Sequence, residues 1–313
     1  VHVAIVGAGA LGRVYGVRLA QAGTAVTFVV RAARVNDARP LRICRVDGDG
    51  RRDEVAEPRL SATVPGESDV VLVCVRAEQI DAALEAQLAL RPTVPVIMLT
   101  PLMPAALEQL TRALGSRVLA AMPGVVAYVL DEGTPAEVTR YWLPRVAPTL
   151  IDEPRPPEAT VTELVAALVR AGMPAELELG VRETNPATTV AFIPLAMGID
   201  AARGIDPLLS EEPLLSLALA AAREGLALSR RIGKSAAWAG LLTRFVGPRM
   251  LRIGVALGRR SSPEAFRYVE EHFGHKLHAQ NVAMARSMIE LAREKGTAHE
   301  AMDALLERLE ERG

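Results

Sequence analysis

Residues 1–31, VHVAIVGAGALGRVYGVRLAQAGTAVTFVVR, constrain this chain more than any other stretch. A short, β-branched apolar run from Val1 to Val6 leads straight into G-x-G-x-x-G at Gly7, Gly9 and Gly12. Helical spacing follows through Leu11, Val14, Tyr15, Leu19 and Ala22; Gly23 closes it, and Ala25 to Val30 is apolar again. Strand, glycine turn, helix and strand in that order make a βαβ unit. Arg18 falls at the edge of the helical stripe and is expected to reach out to water. The three glycines have different physical tasks. Gly7 permits the tight turn, Gly9 leaves bare backbone for a pyrophosphate, and Gly12 lets helix and strand pack closely. The helix start then offers unpaired N–H groups to the phosphates. In this context the motif predicts dinucleotide binding, with Gly7, Ala8, Gly9, Ala10, Leu11 and Gly12 lining the cofactor. A tight turn with no ligand is the plainer alternative.

The end of the second strand bears on which dinucleotide is bound. An acidic residue there suits the free ribose hydroxyls of NAD, whereas this chain has Val29, Val30 and Arg31, with Arg34 close behind. A guanidinium pairs with a 2′-phosphate that an aspartate would repel, so NADP(H) is favoured. The alternative is that Arg31 is a solvated loop charge. SDVVLVCVRA (residues 68–77) is a further apolar strand, as in a parallel sheet covered on both faces, and Arg76 emerges at its carboxyl end, where such sheets bind ligands. VPVIMLT and RVLAAMPGVVAYVL read as later strands, and AEVTRYWLPRVAPTLI adds one or two more, with an antiparallel arrangement open.

A length of 313 residues exceeds one ordinary core, so two domains are expected, at 1–180 and 181–313. The formal net charge of −1 lacks the basic footprint of a general nucleic-acid binder, which leaves a small molecule as the expected partner. Cys44 and Cys74 are too few for a disulfide framework and have no zinc spacing; Cys74, inside an apolar run, reads as packed. Glycines and Arg13 interrupt the first apolar run, so no signal peptide is expected. Pro213 to Leu228 carries Arg223 and Glu224 and is too short to span a bilayer. A cytoplasmic protein with no membrane partner is the expectation. Lys234, Lys276 and Lys295 are the only lysines.

Beyond residue 180 the pattern becomes helical. Asn185-Pro186 reads as an N-cap followed by proline at the first helical position, and Pro194 is expected to kink that helix. The terminal EAMDALLERLEERG is an amphipathic helix solvated on one side. Taking 263–294 as one helix, Phe266, Val269, Phe273, Leu277, Met284, Met288 and Leu291 form its buried stripe. On that phase His275 and His278 point to solvent, and no metal site is expected. Gln280 and Asn281 fall inward, where polar groups need partners. His272, Lys276 and Gln280 share one edge at i,i+4 steps, either as a ligand-facing edge or as a solvated one.

With these residues in place, the chain resembles the ketopantoate reductase family, most clearly over VAIVGAGALGRVYGVRLAQAGTAVTFVVR and in general order over nearly its whole length. The resemblance implies an α/β fold: an N-terminal Rossmann-type parallel sheet domain followed by an all-helical C-terminal domain, with NADPH reducing a 2-keto acid between them. It also places Arg76 at the family's basic cofactor contact. The family's K-x-x-x-N-x-x-x-N before proline, aligned on Pro194, becomes Asn185, Thr189 and Ile193; the asparagine expected after VIMLT is replaced around Thr100, Pro101 and Leu102. Counting back from Gly296, the family glutamate aligns with Gln280. The expectation is therefore a reductase of a carbonyl, or of an imine, other than ketopantoate. Gln280 would face the nicotinamide, Lys276 or His272 would supply charge or a proton, and Asn185 would donate a hydrogen bond. The apolar run TTVAFIPLAMG suggests a hydrophobic substrate seat. Two rivals stand beside it: an opine or 3-hydroxyacid dehydrogenase relative, and a protein without chemistry that senses NADP(H). Helical second domains of this kind often form homodimers.

Overall fold

The computed structural model describes residues 1–37, 39–47, 52–144, 147–234, 247–261, 263, 266 and 277–311, in two units, Val1–Arg182 and Glu183–Gly313. In chain order the first unit runs β1 (His2–Val6), α1 (Ala10–Gln21), β2 (Ala25–Val29), β3 (Leu41–Arg45), β4 (Arg52–Ala56), β5 (Leu60–Ser61) and β6 (Val70–Val73). It continues through α2 (Ala82–Ala89), β7 (Val96–Met98), α3 (Pro104–Leu114), β8 (Val118–Met122), β9 (Val126–Leu130), β10 (Val138–Trp142), β11 (Thr149–Asp152), α4 (Ala159–Arg170) and β12 (Ala175–Glu178).

Every residue of β1 and of β6 is buried, which is why both, His2 apart, are continuous apolar runs rather than alternating ones. They pair in parallel, Val3 opposite Val70, and β1 pairs in parallel with β2 on its other side, Val3 opposite Val26. The large sheet has the order β12-β11-β8-β7-β6-β1-β2-β5, parallel from β8 to β5, with β11 antiparallel to β8. The chain moves outward from β1 to β2 and β5, then returns to β6 on the opposite side of β1. That reversal opens a crevice at the carboxyl ends of β1 and β6, where such sheets take ligands.

A second sheet, β4-β3-β10-β9, has no counterpart in the sequence reading for β3 and β4. Its strands pack against α1, which also lies on β1 and β2, so the helix is covered on two sides. Gly12 to Val17 are consequently buried in succession, together with Leu19. This corrects the one-stripe expectation for Arg18. Its side chain is 13 % exposed, its Nη1 sits 2.9 Å from both oxygens of Glu54 on β4, and its Nη2 donates to the Ala171 carbonyl. Tyr141 of β10 donates to the same carboxylate at 3.1 Å. Ala22, placed in the stripe, is instead exposed, because the helix has already ended and Gly23 turns the chain at φ +83°.

The second unit contains most of α5 (Val181–Ala202), then α6 (Ile205–Ser210), α7 (Glu212–Ile232), α8 (Pro248–Ser261), α9 (His278–Glu294) and α10 (Glu300–Glu310). Asn185 is not an N-cap, because α5 has already begun at Val181. The N–H groups of Gly180 and Val181 both donate at 3.1 Å to Asp152 Oδ1, so a carboxylate from β11 caps the helix. Pro194 removes the N–H that would bond the Val190 carbonyl one turn back. Gly225 of α7 lies against that carbonyl: a Cβ there would stand 2.3 Å from the Val190 oxygen and 3.2 Å from Pro194 Cγ. At the far end, Glu224 accepts from the N–H groups of Ala301 and Met302 at 3.0 and 2.9 Å and caps α10, whose Met302, Leu305 and Leu309 are buried. In the run TTVAFIPLAMG, Val190, Ala191, Ala196 and Met197 are at most 1 % exposed, whereas Phe192, Ile193 and Leu195 are partly exposed. Among the described residues no helix is long and apolar enough to cross a membrane.

Replacing Arg18 by methionine strands the Glu54 carboxylate in a nearly closed site. The expected loss is about 3–5 kcal/mol of unfolding free energy in chemical denaturation, partly recovered when Glu54→Met is added. A loss below about 1 kcal/mol would place the pair among weak surface bridges.

Candidate functional site

At the mouth of the crevice, the three glycines separate by what surrounds them. Gly7 adopts φ +97°, and a Cβ there would stand 2.8 Å from Val75 Cγ1. A Cβ on Gly12 would stand 2.0 Å from the Gly7 carbonyl oxygen. The protein itself forbids side chains at both. Gly9 is different: apart from its chain neighbours, no atom lies within 4 Å of a Cβ built on it, so the space over its backbone is open. A pyrophosphate seated against the start of α1 fits that space.

Arg13, only 4 % exposed, braces the turn from within α1. Its Nε donates to the Ala8 carbonyl at 2.8 Å, and its Nη1 lies 2.5 Å from Glu137 Oε1. The other oxygen of Glu137 accepts from the Gly133 N–H at 2.5 Å. Burial works against the Glu137 charge, but the Gly133 amide and the Arg13 guanidinium outweigh it and hold the carboxyl below the usual glutamate range. Neither residue was singled out as part of the site by the sequence reading. Across the crevice, Thr100 stands where an asparagine was expected; it is buried and donates to the Val75 carbonyl at 2.6 Å, so it secures the end of β6. Burial pushes the Cys74 thiol up to about 12, which makes it a packed group rather than a nucleophile.

The arginines after β2 are not equivalent. Arg39 grips Asp37 at 2.6 and 2.8 Å, Arg34 approaches it at 3.7 Å, and hydrogen bonding from Arg39 above all holds the Asp37 carboxyl below its ordinary range. Arg31 is exposed and makes no ion pair among the described residues. Arg76 is also exposed, but its Nε lies 2.8 Å from Glu78 in a bridge whose two partners are about half in water, and such a bridge is easily exchanged.

In the helical unit the structure gathers a different set from the one expected. Asn185 is 5 % exposed in the second turn of α5, and its carbonyl accepts from Thr189 Oγ1 at 2.9 Å. Gln280, in the first turn of α9, is partly exposed. Lys276 and His272 lie outside the described residues, as does His275. His278 does not simply face solvent. Its Nδ1 lies 3.2 Å from Asp200 Oδ2, the same oxygen that accepts from Asn281 Nδ2 at 2.9 Å, and its side chain is 32 % exposed beside an Asp200 side chain that is 6 % exposed. The expected stripe holds within this helix, where Met284, Met288 and Leu291 are buried; the solvent-facing assignment failed because Asp200 of α5 meets His278 in the first turn. A lone carboxylate inside the apolar run of α5 was the available signal for this cluster. Among the described residues no three His, Cys, Asp or Glu side chains are placed to hold a metal ion.

A parallel sheet with a glycine turn at its switch point, followed by helices, is a Rossmann-type arrangement. Residues 3–137 match the family model described as Ketopantoate reductase PanE/ApbA. Solved structures extend the fold over the whole chain. The 2-dehydropantoate 2-reductase from Geobacter metallireducens GS-15 superposes with a TM-score of 0.66 at 19% identity, covering 100% of both chains. The PanE/ApbA family ketopantoate reductase from Ralstonia eutropha JMP134 gives 0.66 at 20% identity, over 99% of this chain and 97% of that one. A D-mandelate dehydrogenase in complex with NADH gives 0.66 at 14% identity, over 100% and 98%. No curated protein matches the chain in sequence.

Two outcomes follow from the glycines and from Glu137. Gly9→Val should leave the melting temperature nearly unchanged while weakening dinucleotide binding by about tenfold or more, whereas Gly12→Val should lower both; thermal melts beside a binding titration separate them. Because the Glu137 carboxyl is held low in the folded chain, its contribution is complete above the unfolded glutamate value of about 4.3 and is lost as pH falls through the lower folded value. The stability gap between wild type and Glu137→Gln, measured by denaturation across pH, should close only in that acid window.

Proposed function

We propose that this protein is an NADPH-dependent reductase of a 2-keto acid or a related carbonyl compound other than ketopantoate itself. The observation that carries the reading is the open space over Gly9, at the start of α1, together with an Arg31 after β2 that makes no ion pair among the described residues. When bound, the nicotinamide cofactor supplies a hydride to the carbonyl carbon. The chain's own residues bind, orient and protonate. The amides of Gly7 to Gly12 hold the pyrophosphate, Arg31 pairs with the 2′-phosphate, and Arg76 exchanges Glu78 for the cofactor.

The helical unit has to seat a carboxylate and provide a proton for the developing alkoxide. Lys276 is the cation proposed for the carboxylate, His272 and Lys276 are proposed for the proton, Gln280 for the nicotinamide side and Asn185 as a hydrogen-bond donor. His278 joins them as a proton carrier, since a buried carboxylate fixes Nδ1 and leaves Nε2 for other work. Pairing of two helical units in a homodimer belongs to the same proposal and is read by light scattering. A non-catalytic NADP(H) sensor is the second reading. It is favoured by one observation: Asn185, aligned with the family lysine, is buried and bonded to Thr189 instead of presenting a charge.

The test is NADPH oxidation against a panel of 2-keto acids, beside titrations of NADPH and NADH. Arg31→Ala should weaken NADPH by about tenfold while leaving NADH within about twofold. Turnover that survives both Lys276→Ala and His272→Ala would remove those two residues from the mechanism. Tight NADPH binding with no turnover anywhere on the panel would favour the sensor.

A further inference from the structure

We infer that Arg13 is a positioning residue for the dinucleotide and that Glu137, on the β9–β10 turn of the second sheet, holds it in place, an inference that rests on the dinucleotide reading of the Gly7–Gly12 turn. The argument begins with the peptide between Ala8 and Gly9. A trans peptide is planar, so its C=O and N–H point in opposite directions. Arg13 Nε fixes the Ala8 carbonyl at 2.8 Å, and in doing so it directs the Gly9 N–H away from the guanidinium. That N–H has no partner among the described residues, and it belongs to the residue whose missing side chain leaves open space. A peptide at a glycine rotates easily unless something restrains it. Here the restraint is one side chain on the next turn of the helix.

The guanidinium is in turn held by geometry outside the βαβ unit. Glu137 Oε1 takes Arg13 Nη1 at 2.5 Å, and Oε2 takes the Gly133 N–H at 2.5 Å, so both oxygens are committed. The turn is shaped for this: Gly133 has φ +83°, and the Glu137 N–H donates to the Thr134 carbonyl at 3.2 Å. With its charge matched by Glu137 and its Nε on a carbonyl, Arg13 acts through the Ala8 peptide rather than as a ligand of the phosphates. A lysine there would be a point charge with no fork to serve both partners. The small sheet thereby contributes to cofactor affinity without touching the cofactor.

The experiment measures dissociation constants of the full chain for NADPH, NADH and adenosine 2′-monophosphate, which has no pyrophosphate, in wild type, Glu137→Gln and Arg13→Lys, with a thermal melt of each. Both variants should bind NADPH and NADH about tenfold more weakly while adenosine 2′-monophosphate stays within about twofold. Glu137 lies on a surface turn, so its glutamine variant keeps the measurement open should Arg13→Lys fail to fold. Unchanged dinucleotide affinity in Glu137→Gln would overturn the inference. Equal weakening of adenosine 2′-monophosphate would also overturn it, since that is general loosening. Wild type preferring NADH would sink the choice of NADPH alone, with the pair then judged on NADH against adenosine. Wild type binding neither dinucleotide would sink both.

Discussion

The approach of α1 to β1 sets the rest of the N-terminal unit. At Gly12 the helix comes so near that a Cβ would be 2.0 Å from the Gly7 carbonyl oxygen, and the helix start is thereby delivered to the switch point of the sheet. Its first N–H groups have no helical partner, and they face the crevice rather than the core. A sheet of this order could be built with a looser helix. It could not then present those amides beside bare backbone at Gly9.

Covering α1 a second time changes what its charged residues must do. Arg13 and Arg18 sit one and two turns in from the glycine turn, and each serves a main-chain carbonyl and a carboxylate together: Ala8 with Glu137, Ala171 with Glu54. The planar fork of arginine suits this double task, and burial makes an unmatched charge costly. The helical unit uses the same principle with different groups. Asp200 is matched by Asn281 and His278, and the carbonyl released by Pro194 is approached by a glycine rather than by a side chain that would shield it further.

The βαβ unit was legible because its signals are local: Gly7, Gly9, Gly12 and Gly23 fall at fixed distances from apolar runs. The strand run from 68 to 77 was legible for the same reason. What escaped depended on residues far apart in the chain. Nothing near Arg18 announces Glu54, 36 positions away, or the strand Tyr141 comes from. β3 and β4 are five residues each with arginines or acidic residues between their apolar ones, so they do not read as strands until α1 is there to receive them. Asn185-Pro186 imitated a helix start because the actual cap, Asp152, lies 29 residues before Val181. His278 was misplaced because its partner, Asp200, lies 78 positions away, and Lys276 and His272 lie outside the described part of the chain.

The enclosure of α1 between two sheets also bears on how the N-terminal unit breathes. A helix that shelters one face on a sheet can fray or lift by itself, but this one is released only when its contacts with both are broken. Its amides should therefore exchange with solvent in the most protected class, together with β1, rather than with the loops that usually form binding sites. Little ordering would then remain for a cofactor to impose, and the added heat stability on binding should follow mass action alone, without the folding of a mobile segment beneath it.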